Sequence, residues 1–243
     1  MDHLFVVTYG RSGSTVLINL LNAIDGYCIR GENGGVMAQM AKAAHTLQAM
    51  HIKQNHPGNI GSNRPWHGID LVQPTAFARS LADEFTRSVL VPPPGTRVAG
   101  FKEIRHTPSH LSDEDFDIAM DFMAENFADS RFLFNTRNAQ EVSKSGWWAD
   151  SKKHKQSDVL RLIGESNTRF ETWAERLGER AFVIDYADFN GRPEGFTPLL
   201  EWLGADLAPE KVEEICGERL GHLKFKQPEE SRVKSLLRGL LKN

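Results

Sequence analysis

The 243-residue chain is 40% hydrophobic, enough to bury one substantial core, and no shift in composition marks a linker, so a single domain is expected over residues 1–243. A formal charge of −3 excludes the strongly basic balance of bulk nucleic-acid binders, so any anion site must be built locally. Two cysteines, Cys28 and Cys216, exclude a disulfide framework or cysteine-built zinc site, and no run approaches the roughly 20 apolar residues of a membrane span. Strand-like sequence begins near Met1 and leaves no room for a signal peptide, which predicts a soluble, cytoplasmic protein.

In chain order, the apolar run from Leu4 to Tyr9 reads as a strand, and Gly10 to Thr15 as a turn. Val16, Leu17, Leu20, Leu21 and Ile24 then recur at helical spacing. Tyr27 to Arg30 opens a second strand-like piece, broken by Gly31-Glu32-Asn33-Gly34-Gly35. Residues 31–73 read as a long substrate or lid loop, because His, Asn, Gly, Pro and Trp gather over 53–70 with little periodicity. A helix is predicted over 75–90, stopped by Pro92-Pro93-Pro94-Gly95, and a buried strand from Arg97 to Ile104. Ser112 caps a predicted helix over 113–127, with acids in its first turn. A strand over 131–135, helices over 138–148 and 159–177, a strand over 181–186 and helices over 194–203 and 209–217 complete the chain. Strands alternating with helices imply a three-layer α/β/α fold with a central, mostly parallel sheet, like that of P-loop NTPases, and place ligands at the strands' carboxyl ends.

Gly10-Arg11-Ser12-Gly13-Ser14-Thr15 lies between a strand and a helix. Its glycines permit a tight turn and close approach of the backbone, its N–H groups can point inward, and the helix dipole adds positive potential, so a phosphate or sulfate is the natural occupant. A nucleoside triphosphatase would show G-x-x-x-x-G-K-[ST]. Here Ser14 stands where the lysine would fall, and the basic residue comes earlier, at Arg11. A plain helix-capping turn is the alternative reading. Further on, Arg137 at a predicted strand end and Ser145 eight residues later could grip one phosphate with a guanidinium fork and a hydroxyl.

Together these segments resemble the sulfotransferases that use 3′-phosphoadenosine 5′-phosphosulfate. Gly10 to Thr15 match the family's strand-loop-helix for the 5′-phosphosulfate, and Arg137 and Ser145 match its Arg-x7-Ser pair for the 3′-phosphate. Asp185-Tyr186-Ala187-Asp188-Phe189 is similar to the family's Tyr-Glu-Asp-Leu segment. The resemblance implies the sulfated nucleotide as co-substrate, 3′-phosphoadenosine 5′-phosphate as product and no metal. It assigns donor contacts to Arg11, Ser12, Gly13, Ser14, Thr15, Arg137, Ser145 and Tyr186. No clear match to the family's Arg-Lys-Gly segment is present, although Lys224 and Lys226 fall in roughly that region.

In-line sulfuryl transfer requires positioning, charge stabilisation and a base for the acceptor proton. Arg11 would face the leaving group. Glu32 is the first choice as base, resembling the catalytic glutamate of tyrosylprotein sulfotransferases and of a bacterial glycolipid sulfotransferase; a solvated loop carboxylate is the alternative. Glu103, at a predicted strand end, is the second choice, against a salt bridge to Lys102 or Arg105. Lys102 suits the sulfonyl oxygens. His67, His106 and His110 are further bases. Trp147 or Trp148 could stack on adenine, with core packing the alternative role. The polar loop and its tryptophan suggest a carbohydrate or glycoconjugate acceptor. The amphipathic tail from Val233 to Leu241, with Arg232, Lys234, Arg238 and Lys242, reads as a docked helix or a membrane-surface contact. Two competing functions share the opening turn: a P-loop kinase of a small molecule and a non-catalytic nucleotide-binding protein.

Overall fold

A computed structural model describes residues 1–217. The tail expectations, including Lys224, Lys226 and the amphipathic stretch 233–241, lie outside the described residues. Five strands form one sheet in the order β2-β3-β1-β4-β5: β1 (Asp2–Val7), β2 (Tyr27–Arg30), β3 (Val98–Glu103), β4 (Ser130–Thr136) and β5 (Ala181–Asp185). Every pairing is parallel. Parallel sheets need both faces covered, and β1 shows it: Phe5 and Val7 point into one core cluster while Leu4 and Val6 point into the other. The first cluster packs beneath α2 (Val36–Gln54), α3 (Pro74–Phe85), α4 (Asp113–Asn126) and α6 (Gln156–Leu177). The second packs against α1 (Ser14–Ala23), α8 (Thr197–Leu203) and α9 (Pro209–Gly217).

The chain leaves β1 for β2 on one side and later crosses to β4 on the other, so the strand order reverses at β1. Such switch points leave a crevice at the strands' carboxyl ends. The register sets Val7 opposite both Glu103 of β3 and Phe134 of β4, which brings the three strand ends level.

Four expectations change. Residues 31–73 are not one loop: Val36–Gln54 form a 19-residue helix whose Met37, Ala38, Ala41 and Ala44 are buried. Alanine is the best helix former, and the three small alanine side chains let α2 sit close to α3 and α4. The irregular part is confined to the residues between Gln54 and Pro74, interrupted by a short 3-10 turn at Ile69–Leu71. The helix expected over 75–90 is α-helical only to Phe85 and widens into a π-turn over Thr86–Leu90, ending at Val91 with φ 43° ahead of the prolines. The helix expected over 138–148 stops at Ser143 as α5 (Ala139–Ser143), because Gly146 adopts φ 55° and starts a separate 3-10 turn. The first strand is also two residues earlier than expected, and Tyr9 instead forms an isolated bridge with Arg105.

Close approach of β1 and β3 depends on Gly100, where a Cβ would lie 1.7 Å from the Leu4 carbonyl oxygen. Because the obstacle is backbone, the strands themselves would have to move. Gly100→Ala is expected to destabilise the fold by roughly 1–3 kcal/mol or more, read as a lower denaturant midpoint.

Candidate active site

The Gly10–Thr15 loop leaves β1 with two left-handed residues, Arg11 at φ 73° and Gly13 at φ 84°. Gly13 is the N-cap of α1, and no side chain caps that helix. Ser12 is fully buried and faces inward: its Oγ lies 2.7 Å from Thr8 Oγ1, which donates to the Asn135 carbonyl at 2.9 Å. The loop is thereby tied to the end of β4. A second tie runs through Tyr9, whose hydroxyl accepts from the Arg137 N–H at 2.7 Å and donates to Asn167 Oδ1 at 2.8 Å. Burial raises the Tyr9 pKa, so this hydroxyl stays protonated and serves as a fixed donor.

Two aromatic rings close on the loop's glycines. A Cβ on Gly10 would lie 2.2 Å from the Trp147 ring, and one on Gly13 would lie 2.3 Å from the Tyr186 ring. Arg11 sits over Trp147, 5.9 Å from the ring centroid, and its Nε donates to Ser145 Oγ at 3.1 Å. Arg137 stacks on Tyr186 at 4.0 Å, donates to the Arg11 carbonyl at 3.0 Å and pairs with Glu141 at 3.0 Å. Arg11, Arg137, Ser145 and Tyr186 therefore meet beside the loop. Ser145 reaches this place from beyond α5, as the residue before the 3-10 turn, rather than from within a helix. Trp148 packs on the core while Trp147 remains half exposed.

A second cluster lies at the end of β3. Lys102 Nζ is 2.7 Å from Glu32 Oε1, and Arg105 Nη1 is 3.4 Å from Glu32 Oε2. Glu32 keeps a third of its side chain accessible, whereas Glu103 is 2% exposed. Both Glu103 oxygens are engaged: Oε2 accepts from the backbone N–H groups of Asn33 and Gly35, and Oε1 from those of Ile104 and Arg105 and from the Arg105 guanidinium. Burial alone would raise the Glu103 pKa, but the Gly35 hydrogen bond and the charges of His106 and Arg105 bring it below the usual carboxylate range. Glu103 is thus an anchor for the turn that carries Glu32, not an available base. His106 is fully enclosed beneath it, with Nδ1 donating to the Glu103 carbonyl at 3.1 Å, and burial lowers its pKa to about 4. His67 and His110 are exposed and bond to the Ile60 carbonyl and the Thr107 hydroxyl.

Sequence reasoning missed Tyr9, Asn135 and Asn167 as organisers of the loop. Their partners lie more than 120 residues away in sequence and no local pattern marks them. Arg105 had a visible signal, as a cation just past a strand end, yet its bridge between two carboxylates depends on the fold.

A five-stranded parallel sheet covered by helices on both faces, with a glycine loop leading from its first strand into a helix, defines an α/β fold of the P-loop-like class. The profile of the sulfotransferase family matches residues 3–209, and the chain belongs to that family. The sulfotransferase domain of the Synechococcus PCC 7002 olefin synthase has a similar fold, with a TM-score of 0.57 and 16% identity over 93% of this chain and 83% of that one. Sulfotransferase STF9 from Mycobacterium avium aligns with a TM-score of 0.48 and 14% identity over 91% of this chain and 68% of that one. No curated protein matches the chain. Among the described residues, no helix is long and apolar enough to cross a membrane.

The pair beneath the site sets a pH dependence. His106 has a folded pKa lowered from 6.5 to about 4, so between those values the unfolded chain takes up a proton that the native chain does not, and stability falls as pH drops. Glu103, with its pKa also lowered, adds a loss only below the ordinary carboxylate range. Thermal or urea melts from pH 7 to 4.5 are expected to show a fall on the order of a few kcal/mol, and His106→Asn should flatten it.

Proposed function

We propose that the protein transfers a sulfuryl group from 3′-phosphoadenosine 5′-phosphosulfate to a hydroxyl or amine acceptor by in-line displacement. The observation that carries this reading is the convergence of Arg11, Arg137 and Ser145 on a glycine loop that no side chain caps. The chemistry of this set fits a nucleotide with two separate phosphates. The Gly10–Thr15 amides and the α1 dipole suit the 5′ side, including contacts from Ser14 and Thr15, while Arg137 and Ser145 suit the 3′-phosphate. Trp147, half exposed beside Gly10, is a stacking surface for the adenine, and Tyr186 backs Arg137. When bound, the donor supplies the activated sulfuryl group.

The rest falls to this chain's own residues. Glu32 takes the acceptor proton as the new S–O or S–N bond forms. The electron pair of the broken S–O bond passes to the departing 5′-phosphate, where Arg11 meets the growing negative charge. Lys102, 2.7 Å from Glu32, holds that carboxylate in place and supplies positive charge next to the transferring sulfonyl oxygens. Glu103 fixes the Asn33–Gly35 turn and so the approach of Glu32. A carbohydrate or glycoconjugate acceptor suits the polar stretch before α3, where Trp66 offers an exposed ring.

Calorimetric titration of 3′-phosphoadenosine 5′-phosphate against ADP, without and with magnesium, tests the donor. Tighter, metal-independent binding of the bisphosphate is expected, and a preference for magnesium-ADP would replace this reading with a kinase. Arg137→Ala should weaken the bisphosphate by about 2–3 kcal/mol and ADP much less. Glu32→Gln should abolish turnover while leaving bisphosphate affinity intact; near-normal turnover would remove Glu32 from the role of base.

A further inference from the structure

Arg137 is held in place from three sides. Its backbone N–H donates to the Tyr9 hydroxyl at 2.7 Å, its guanidinium lies 4.0 Å from the centroid of the Tyr186 ring, and its Nη1 donates to the Arg11 carbonyl at 3.0 Å. A fourth tie is of another kind. Nε donates at 3.0 Å to Oε2 of Glu141, an acid in the first turn of α5 and four residues further along the chain. A carboxylate therefore stands where an anionic ligand of Arg137 would stand.

A guanidinium grips a phosphate best with two nitrogens of one edge. Nε carries a single hydrogen, so a phosphate on the Nε–Nη2 edge takes that hydrogen from Glu141. On the Nη1–Nη2 edge it would meet the Arg11 carbonyl dipole and leave two anions sharing one cation. Of the two oxygens already present, the Arg11 carbonyl is fixed in the loop backbone, where Arg11 adopts φ 73°, and the Glu141 side chain is the free one: it is 55% exposed, against 18% for Arg137. An ion pair open to solvent on one side is weak, because water solvates the released carboxylate. The Nε–Nη2 edge is thus the one that a phosphate wins, and Glu141 is the group that yields.

Displacement does not remove Glu141 from the site. Its N–H stays bonded to Asn138 Oδ1 at 3.3 Å, so the carboxylate remains tethered within reach of Arg137 at high effective concentration. This matters because sulfuryl transfer alters only the 5′ end of the donor. A grip on the 3′-phosphate holds product as firmly as donor, and uniform binding of that kind slows release without helping the chemical step.

We infer that Glu141 is the resident counter-ion of Arg137: the 3′-phosphate of the donor displaces it, and its return to Arg137 speeds release of the bisphosphate product. This inference rests on the donor reading of Arg137. Glu141 touches neither the sulfuryl group nor the acceptor; it is a positioning residue that acts through Arg137.

Calorimetry for affinity and surface plasmon resonance for release, with 3′-phosphoadenosine 5′-phosphate and ADP as ligands, test it. Glu141→Gln, which keeps the shape and removes the charge, should bind the bisphosphate about two- to fivefold tighter and release it correspondingly slower, with ADP affinity unchanged. In an Arg137→Ala background the same substitution should have a smaller effect. A bisphosphate affinity unchanged or weakened in Glu141→Gln, a gain without slower release, an equal gain for ADP, or a gain undiminished without Arg137 overturns the inference and leaves the donor reading standing. Failure of the unmutated protein to bind the bisphosphate defeats the donor reading itself.

Discussion

Parallel pairing is the constraint on which everything else depends. When β3, β1 and β4 run in the same direction with Val7 level with Glu103 and Phe134, three chain segments leave the sheet at one edge within a few residues of each other. The Gly10–Thr15 loop, the Lys102–Arg105 segment and the Arg137 turn are those three exits. No antiparallel hairpin could deliver them together, because consecutive strands would end at opposite edges. The reversal of strand order at β1 then opens the crevice between them.

What was legible in the sequence was what is local. The strand, glycine turn and apolar helix around Gly10–Thr15 lie within twenty residues, so their spacing announces them. The eight-residue separation of Arg137 and Ser145 is visible in the sequence, but the path between them is not: α5 ends at Ser143, and Ser145, in extended conformation, reaches Arg11. Helix α2 escaped notice because its buried face is made of alanines and one methionine, which give little contrast in apolar periodicity even though alanine favours helix. The two carboxylates were harder still. Glu32 and Glu103 look alike as loop or strand-end acids, and only folding shows one accessible beside Lys102 and the other saturated by backbone donors, two of them about 70 residues away.

Charge in the site is arranged to remain local. Glu32 sits between Lys102 and Arg105, Glu103 shares Arg105, and Glu141 pairs with Arg137, so these three cations are balanced by neighbouring carboxylates. Arg11 differs from the other site cations by resting on a hydroxyl and an indole face.

The rings over Gly10 and Gly13 also restrict how this protein can diverge. Each ring comes from a segment remote in sequence, Trp147 from beyond α5 and Tyr186 from the end of β5, and each occupies the space that any side chain on its glycine would need. A substitution at either glycine therefore requires the matching ring to move aside or to be replaced by a smaller side chain. Gly13 adds the further demand of a residue that tolerates φ 84°. The loop and the two aromatics thus form one packing unit, in which space at each glycine is set by a ring from a distant part of the chain.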